Sequence, residues 1–396
     1  MSYYILPKVI NSYIKINPYT QDDEIKTYIS HSLFNYYKKM KTQLNSLIET
    51  DVSLNIQNII KIVNPYEFIF SKINGSKYSI SKLKPQNSIF YDMLEISNML
   101  NIFDNYKNTN IKFITISSMY EDINYCYEFF RENNNDTIDN YEEFKNDLCE
   151  EIHEKKYDII FYEIEKIIYC NLNNYILKLI DTFLLILHNQ TYNGITIIKI
   201  GFTFHKPVID ILYLLSSLFQ KVYVVKPNTS NIMSYEKFIV CKHFIINEGM
   251  KDIHNLYISK LVEFKKNYLK NYNQNIKYII DKDIPYFYIN KIDDINNIIG
   301  QQQLETIDQV INIYKNKNKD DKIESLKKMN IHKSISWCEK MKIPYNKFSE
   351  KPNIFLPIEN SDLEKDANEI INEEDIEKNI DTDFQENLFI IIENEI

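Results

Sequence analysis

Phosphate-binding loops and nucleophile-presenting elbows depend on glycine, and this chain of 396 residues has only five. None stands in a GxGxxG, GxxxxGK[ST] or GxSxG spacing. Dinucleotide enzymes of the usual kind, P-loop enzymes, kinases and α/β-hydrolases are therefore excluded, because each needs glycine where backbone meets ligand or turns sharply. The five cysteines (Cys126, Cys149, Cys170, Cys241 and Cys338) form no CxxC pair and no disulfide framework, which points to a reducing compartment. The seven histidines show no HExxH or comparable spacing, so no metal site is expected. The chemistry that remains is that of lysines and carboxylates at the ends of strands.

The stretch richest in such residues runs from Asn193 to Phe244. A β-branched strand carries Lys199 and closes at Gly201. A helix follows that includes Leu212–Phe219. A second strand ends in Lys226 and Pro227, and a serine-bearing loop leads to Tyr235, Glu236, Lys237, Phe238, Ile239, Val240 and Cys241. In this order, the segment resembles the FtsJ/adrift-type RNA ribose 2′-O-methyltransferases that act on mRNA caps. The resemblance extends through residues 61–346. Asn64–Phe68 (NPYEF) and Ser334–Asn346 (SISWCEKMKIPYN) are similar to segments of large-DNA-virus members. Phe90–Ile96 (FYDMLEI) and Tyr157–Lys166 (YDIIFYEIEK) stand where the family carries its first lysine and its aspartate.

The resemblance implies a Lys–Asp–Lys–Glu group around a ribose hydroxyl. Carboxylates orient the lysines, and a cationic amine stabilises negative charge developing on the oxygen. It implies S-adenosylmethionine as methyl donor, held by a glycine-rich turn after the first strand. Carried onto this chain, Lys199 takes the second lysine's place, Glu236 the glutamate's, and Glu163 the aspartate's with a longer reach. The first lysine is replaced by Asp92, which reverses the charge. The cofactor turn reads Ser117, Ser118, Met119, Tyr120 with no glycine, so Ser117 and Ser118 mark a degenerate cofactor position. The segment Glu132–Lys156 is polar and strand-poor, and the acid that should hold the cofactor ribose is not legible in it. Lys226 lies where it could reach RNA phosphate.

Each of these residues also has a plainer reading. Lys199 could be a solvated lysine at a sheet edge, Glu236 the partner of Lys237 or Lys199 in a surface ion pair, Glu163 a polar residue left at a strand end, and Lys226 a solvated lysine. Trp337 reads as a packing anchor or a cap-stacking ring. The 31 tyrosines read as filler or as base platforms.

Strands that alternate with helices must position these groups. Ile111–Ile116, Asp158–Tyr162, Ile195–Ile200, Val222–Val225 and Lys237–Cys241 read as strands, and Leu172–His188 and Val208–Phe219 as helices, the latter with Pro207 at its start. This pattern predicts a mostly parallel sheet. The short connection Lys226–Tyr235 makes the last two strands antiparallel. The expected fold is a class-I, Rossmann-like methyltransferase sheet with an antiparallel last strand and helical extensions at both ends. Residues 1–82 form the N-terminal helical extension, with a helix starting near Thr20 and Asp22–Asp23. Residues 83–250 form the methyltransferase-like domain. Residues 251–357 are a C-terminal helical region, with helices over Leu256–Tyr268, Ile307–Tyr314 and Ile323–Met329, and 358–396 are an acidic flexible tail.

Composition sets the wider frame. The chain has one alanine and one arginine (Arg131) and is dominated by Ile, Asn, Lys and Tyr, as expected from an AT-rich genome of a protist or large DNA virus. Net charge is −9; the segment from Glu359 onward holds 14 acids and 2 lysines, which leaves the remainder at +3. A mildly basic body is compatible with RNA contact. No stretch is long and apolar enough for a bilayer, so no membrane partner is expected and the protein should be cytoplasmic, in host cytoplasm or virion if viral. Two functions follow. One is a methyltransferase fold with a degraded S-adenosylmethionine site, acting as an RNA- or protein-binding subunit of a capping or transcription assembly. The other is an active cap 2′-O-methyltransferase with a diverged cofactor turn.

Overall fold

The sheet is built from segments whose apolar residues alternate with a period of two. In the computed structural model, which describes residues 2–10, 13–50, 55–73, 78–132, 134–142, 155–246, 251–270, 274–316 and 320–346, seven strands form one sheet. They are β1 (Ser2–Ile5), β3 (Lys112–Ile116), β4 (Thr137–Tyr141), β5 (Tyr157–Glu163), β6 (Gln190–Ile200), β7 (Phe219–Lys226) and β8 (Lys237–Phe244). Their order across the sheet is β1-β7-β8-β6-β5-β3-β4. The β6–β5–β3–β4 half is parallel, and β8 enters antiparallel between β6 and β7. A small second sheet pairs β2 (Tyr19–Gln21) with β9 (Asn275–Tyr278).

Alternation sends side chains to two cores. Ile160, Tyr162, Ile198 and Ile200 face one, shared with α5 (Leu172–Asn189) and α6 (Lys206–Leu218). Ile159, Phe161, Ile195, Ile197, Phe238 and Val240 face the other, covered by α3 (Ile89–Leu100), α4 (Tyr120–Arg131) and α9 (Asp320–Met341). By the same parity Ser117, Glu163, Lys199 and Glu236 belong to the α3 side. Helices α5 and α6 are apolar nearly all round, as helices buried against a sheet must be. Asn171 caps α5 by accepting from the Asn174 N–H, and Pro207 sits in the first turn of α6, where its missing N–H costs nothing.

The remaining helices are α1 (His31–Thr50), α2 (Asn55–Val63), α7 (Lys251–Tyr268) and α8 (Tyr286–Lys315). A third core joins α1 and α2 to α8 through Tyr37, Leu44, Ile60, Val63, Ile307 and Val310. The two terminal extensions therefore pack on each other as well as on the sheet. Trp337 is 4% exposed and meets Tyr91 edge-on at 6.0 Å, which makes it a packing anchor rather than an exposed stacking ring.

Three expectations need correction. The first 82 residues are not helical throughout, since Ser2–Ile5 completes the sheet and Thr20 lies in β2; the first helix begins at His31. The segment between β3 and β5 does contain a strand, β4, parallel to β3. Its sequence, TIDNY, hides the strand because an edge strand needs few apolar residues. What fixes it is the one arginine of the chain. Arg131 pairs with Asp136 through Nε at 2.5 Å and Nη2 at 2.9 Å, and also donates to the carbonyls of Tyr106 and Thr109. Finally, Ile307–Tyr314 and Ile323–Met329 are pieces of the much longer helices α8 and α9. The acidic tail lies outside the described residues, as does most of 143–154.

Candidate functional site

Parallel pairing of β5 with β6 places Glu163 directly opposite Lys199 at the carboxyl ends of both strands. Lys199 pairs across the other edge of β6 with Phe238, so Glu236, just before β8, arrives at the same sheet end. The result is an ionic cluster. The Lys199 amine lies 2.7 Å from Glu163 Oε1 and 3.4 Å from Glu236 Oε1. All three side chains are largely buried, at 13%, 5% and 13% exposure. Burial opposes the lysine's charge, but the carboxylates of Glu163 and Glu236, with Asp92 behind them, hold its pKa well above the usual lysine range. Lys199 is thus a fixed ammonium, able to donate hydrogen bonds to an oxyanion and unable to accept a proton.

Glu236 shows the complementary shift. Burial alone would raise its pKa, yet the amines of Lys166, Lys199 and Lys226 pull it down to about 2. Lys166, three residues beyond Glu163, lies 3.4 Å from Glu236 Oε2. It is absent from the expected group because nothing in its local sequence distinguishes it from a solvated lysine. Lys237, the other partner considered for Glu236, is buried, and its only recorded hydrogen bond goes to the Tyr235 carbonyl at 3.4 Å; burial lowers its pKa to about 7.

Asp92 sits close enough to feel Lys199 and Lys226, but it is tied to the loop after β7. Its Oδ1 accepts from the Thr229 hydroxyl at 2.6 Å, and Glu95, one turn further along α3, accepts from the Asn228 N–H at 2.9 Å. Burial raises the Asp92 pKa to about 7, against the opposing pull of Thr229 and the two lysines. Where the resemblance has a lysine, this chain has a latch for a loop. Lys226 completes the latch. It does not reach outward to RNA, because it is 6% exposed and its amine donates to the carbonyls of Asn231, Ser234 and Glu236 at 2.8, 2.8 and 2.7 Å. Burial lowers its pKa to about 8.

The cofactor turn is occupied by its own side chains. The Ser117 hydroxyl donates to Glu163 and accepts from the Met119 N–H at 3.0 Å. Ser118 is exposed, and Met119 packs against the α3-side core. Beside this turn lies a cleft of about 260 Å³, lined by Ile116, Glu142, Tyr162, Glu163, Glu165 and Lys178 among others. Small-molecule sites commonly span roughly 300–1,000 Å³. Glu142 directly follows β4, so an acid does stand at the end of the second strand, where the sequence did not reveal one. Among the described residues no group of His, Cys, Asp and Glu is arranged to hold a metal, and no helix is long and apolar enough to cross a membrane.

No family model matches the chain. Over 148 residues, 37% of its length, it is 33% identical to a Plasmodium falciparum protein described as "Protein PFF0380w". The match spans 5% of that much longer protein, so the likeness concerns a small part of it and its description carries no activity.

Proposed function

We propose that this chain is an FtsJ-type RNA ribose 2′-O-methyltransferase fold whose cofactor site is closed, serving as an RNA-binding subunit of an mRNA capping or transcription assembly. The observation that carries the reading is the Glu163–Lys199–Glu236 cluster. Three positions matched from sequence segments far apart meet within 3.4 Å at one sheet end. The strand order supports it as well, since a parallel half sheet joined to an antiparallel β8 is the arrangement that such a methyltransferase sheet requires.

The residues at the turn do not fit S-adenosylmethionine. The methionine end of that cofactor needs backbone approach, which glycine permits and four consecutive side chains oppose. Ser117 is already engaged with Glu163, the adjoining cleft is small, and Asp92 brings a carboxyl where a lysine belongs. What remains is a site of fixed ammonium and carboxylate groups that can hold a hydroxyl without transferring a methyl group to it. Calorimetric titration with S-adenosylmethionine should give no binding heat, and a capped transcript should acquire no 2′-O-methyl group. Fluorescence anisotropy with a labelled single-stranded RNA should show binding. Absence of RNA binding would refute the proposal.

The second reading, an active cap 2′-O-methyltransferase, is favoured by one observation. Glu142 stands at the end of β4, where an acid could accept from the cofactor ribose. Methyl transfer to capped RNA, abolished in Lys199→Ala, would establish that reading instead.

A further inference from the structure

Residue 166 lies outside every position where the resemblance expects a functional group, yet its amine belongs to the same cluster. The two oxygens of Glu236 are shared, Oε1 with Lys199 and Oε2 with Lys166, each at 3.4 Å. One carboxylate thus bridges two ammonium groups that arrive from different segments, one from the end of β6 and one from the turn after β5. Of the three lysines that pull Glu236 down, Lys166 acts most strongly. It is also the most accessible. Its side chain keeps 24% exposure, against 13% for Lys199, while Lys226 is turned inward onto three carbonyls.

The charges around the opening are then two lysines and two glutamates. Asp92 is withdrawn into its bond with Thr229. A balanced set of this kind suits a neutral group that both donates and accepts. A hydroxyl can donate to a carboxylate while accepting from an ammonium, whereas a phosphate would meet two carboxylates at close range. We propose that Lys166 supplies the second amine lost at residue 92, contacting a ribose 2′-hydroxyl from the side opposite α3, and so sets the preference of this site for RNA over DNA. The inference rests on the RNA-binding reading of the same site. The 2′-hydroxyl is the group by which a protein separates RNA from DNA at one position.

The test compares one labelled single-stranded oligonucleotide as RNA and as DNA, bound by the full chain and followed by anisotropy. Parent protein should bind the RNA more tightly. Lys166→Gln should weaken RNA binding about five- to tenfold, the loss of roughly one charge-assisted hydrogen bond, and leave DNA binding unchanged. Lys166→Arg, which keeps the charge, should retain most of the preference. Lys260→Gln, at an exposed lysine on α7, should match the parent. Thermal unfolding of each variant separates loss of fold from loss of contact. If Lys166→Gln keeps the RNA-to-DNA ratio while Lys199→Gln erases it, the role of Lys166 is refuted and the RNA-binding reading stands. If the parent binds RNA and DNA alike, or neither, the site does not read ribose and both fall.

Discussion

Removing the Lys199 ammonium while keeping its apolar stem, as in Lys199→Met, would strand two buried carboxylates at one sheet end. Glu163 would lose its 2.7 Å partner, and Glu236 one of its three neutralising amines. Breaking a buried pair by deleting one partner typically costs about 3–5 kcal/mol. Lys166 and Lys226 still shield Glu236, so a loss near about 3 kcal/mol is expected at pH 7. The pH dependence carries a second signature. In the parent, the Glu236 pKa is depressed from 4.5 to about 2, so its stabilisation is present above pH 4.5 and is lost as pH falls towards 2. In Lys199→Met the stranded carboxyls shift upward instead. Their penalty is largest at neutral pH and shrinks as acid protonates them, so the gap between variant and parent should narrow from pH 7 to pH 4. Urea unfolding with linear extrapolation measures both. A double-mutant cycle with Glu163→Gln should give a coupling of about 1–3 kcal/mol. A loss below about 1 kcal/mol at pH 7, or additivity of the two substitutions, would show that the cluster is solvated and refute the site as described.

Other expectations follow from the latch and the edge strand. Asp92 has a pKa raised to about 7, so its contribution to stability is full below its ordinary value of 3.8 and is lost as pH rises through 7. Asp92→Asn can still accept from Thr229, and should flatten the decline in stability between pH 5 and pH 8. Lys226→Met leaves three loop carbonyls without their donor, and should lower stability by at least about 2 kcal/mol while amide exchange accelerates over residues 228–236. Arg131→Lys loses the paired contact with Asp136 and the carbonyl bonds of Nη1 and Nη2. It should destabilise by about 2–3 kcal/mol and expose the amides of β4 to exchange before those of β6.

The sequence by itself determined the local elements and the face on which each residue stands. β-Branched runs such as Ile195–Ile200, the apolar stretch of Leu172–His188 and the short connection between β7 and β8 all appear as expected, because period and turn length constrain backbone geometry within a few residues. They also sufficed to put Lys199 at a strand end. Four things were decided only by tertiary structure. β4 is held by a salt bridge from the preceding helix, and no hydrophobic pattern announces it. Ser2–Ile5 joins a strand more than two hundred residues away, a pairing no local signal encodes. Lys226 turns inward because three carbonyls of the loop that follows it converge on its amine, where the sequence suggested an outward reach. Lys166 enters the cluster because the turn after β5 folds back over the end of β6. Periodicity reports which way a side chain points. Which distant group it meets, and hence its charge state and chemistry, depends on strand register and packing, and those exist only once the whole sheet has formed.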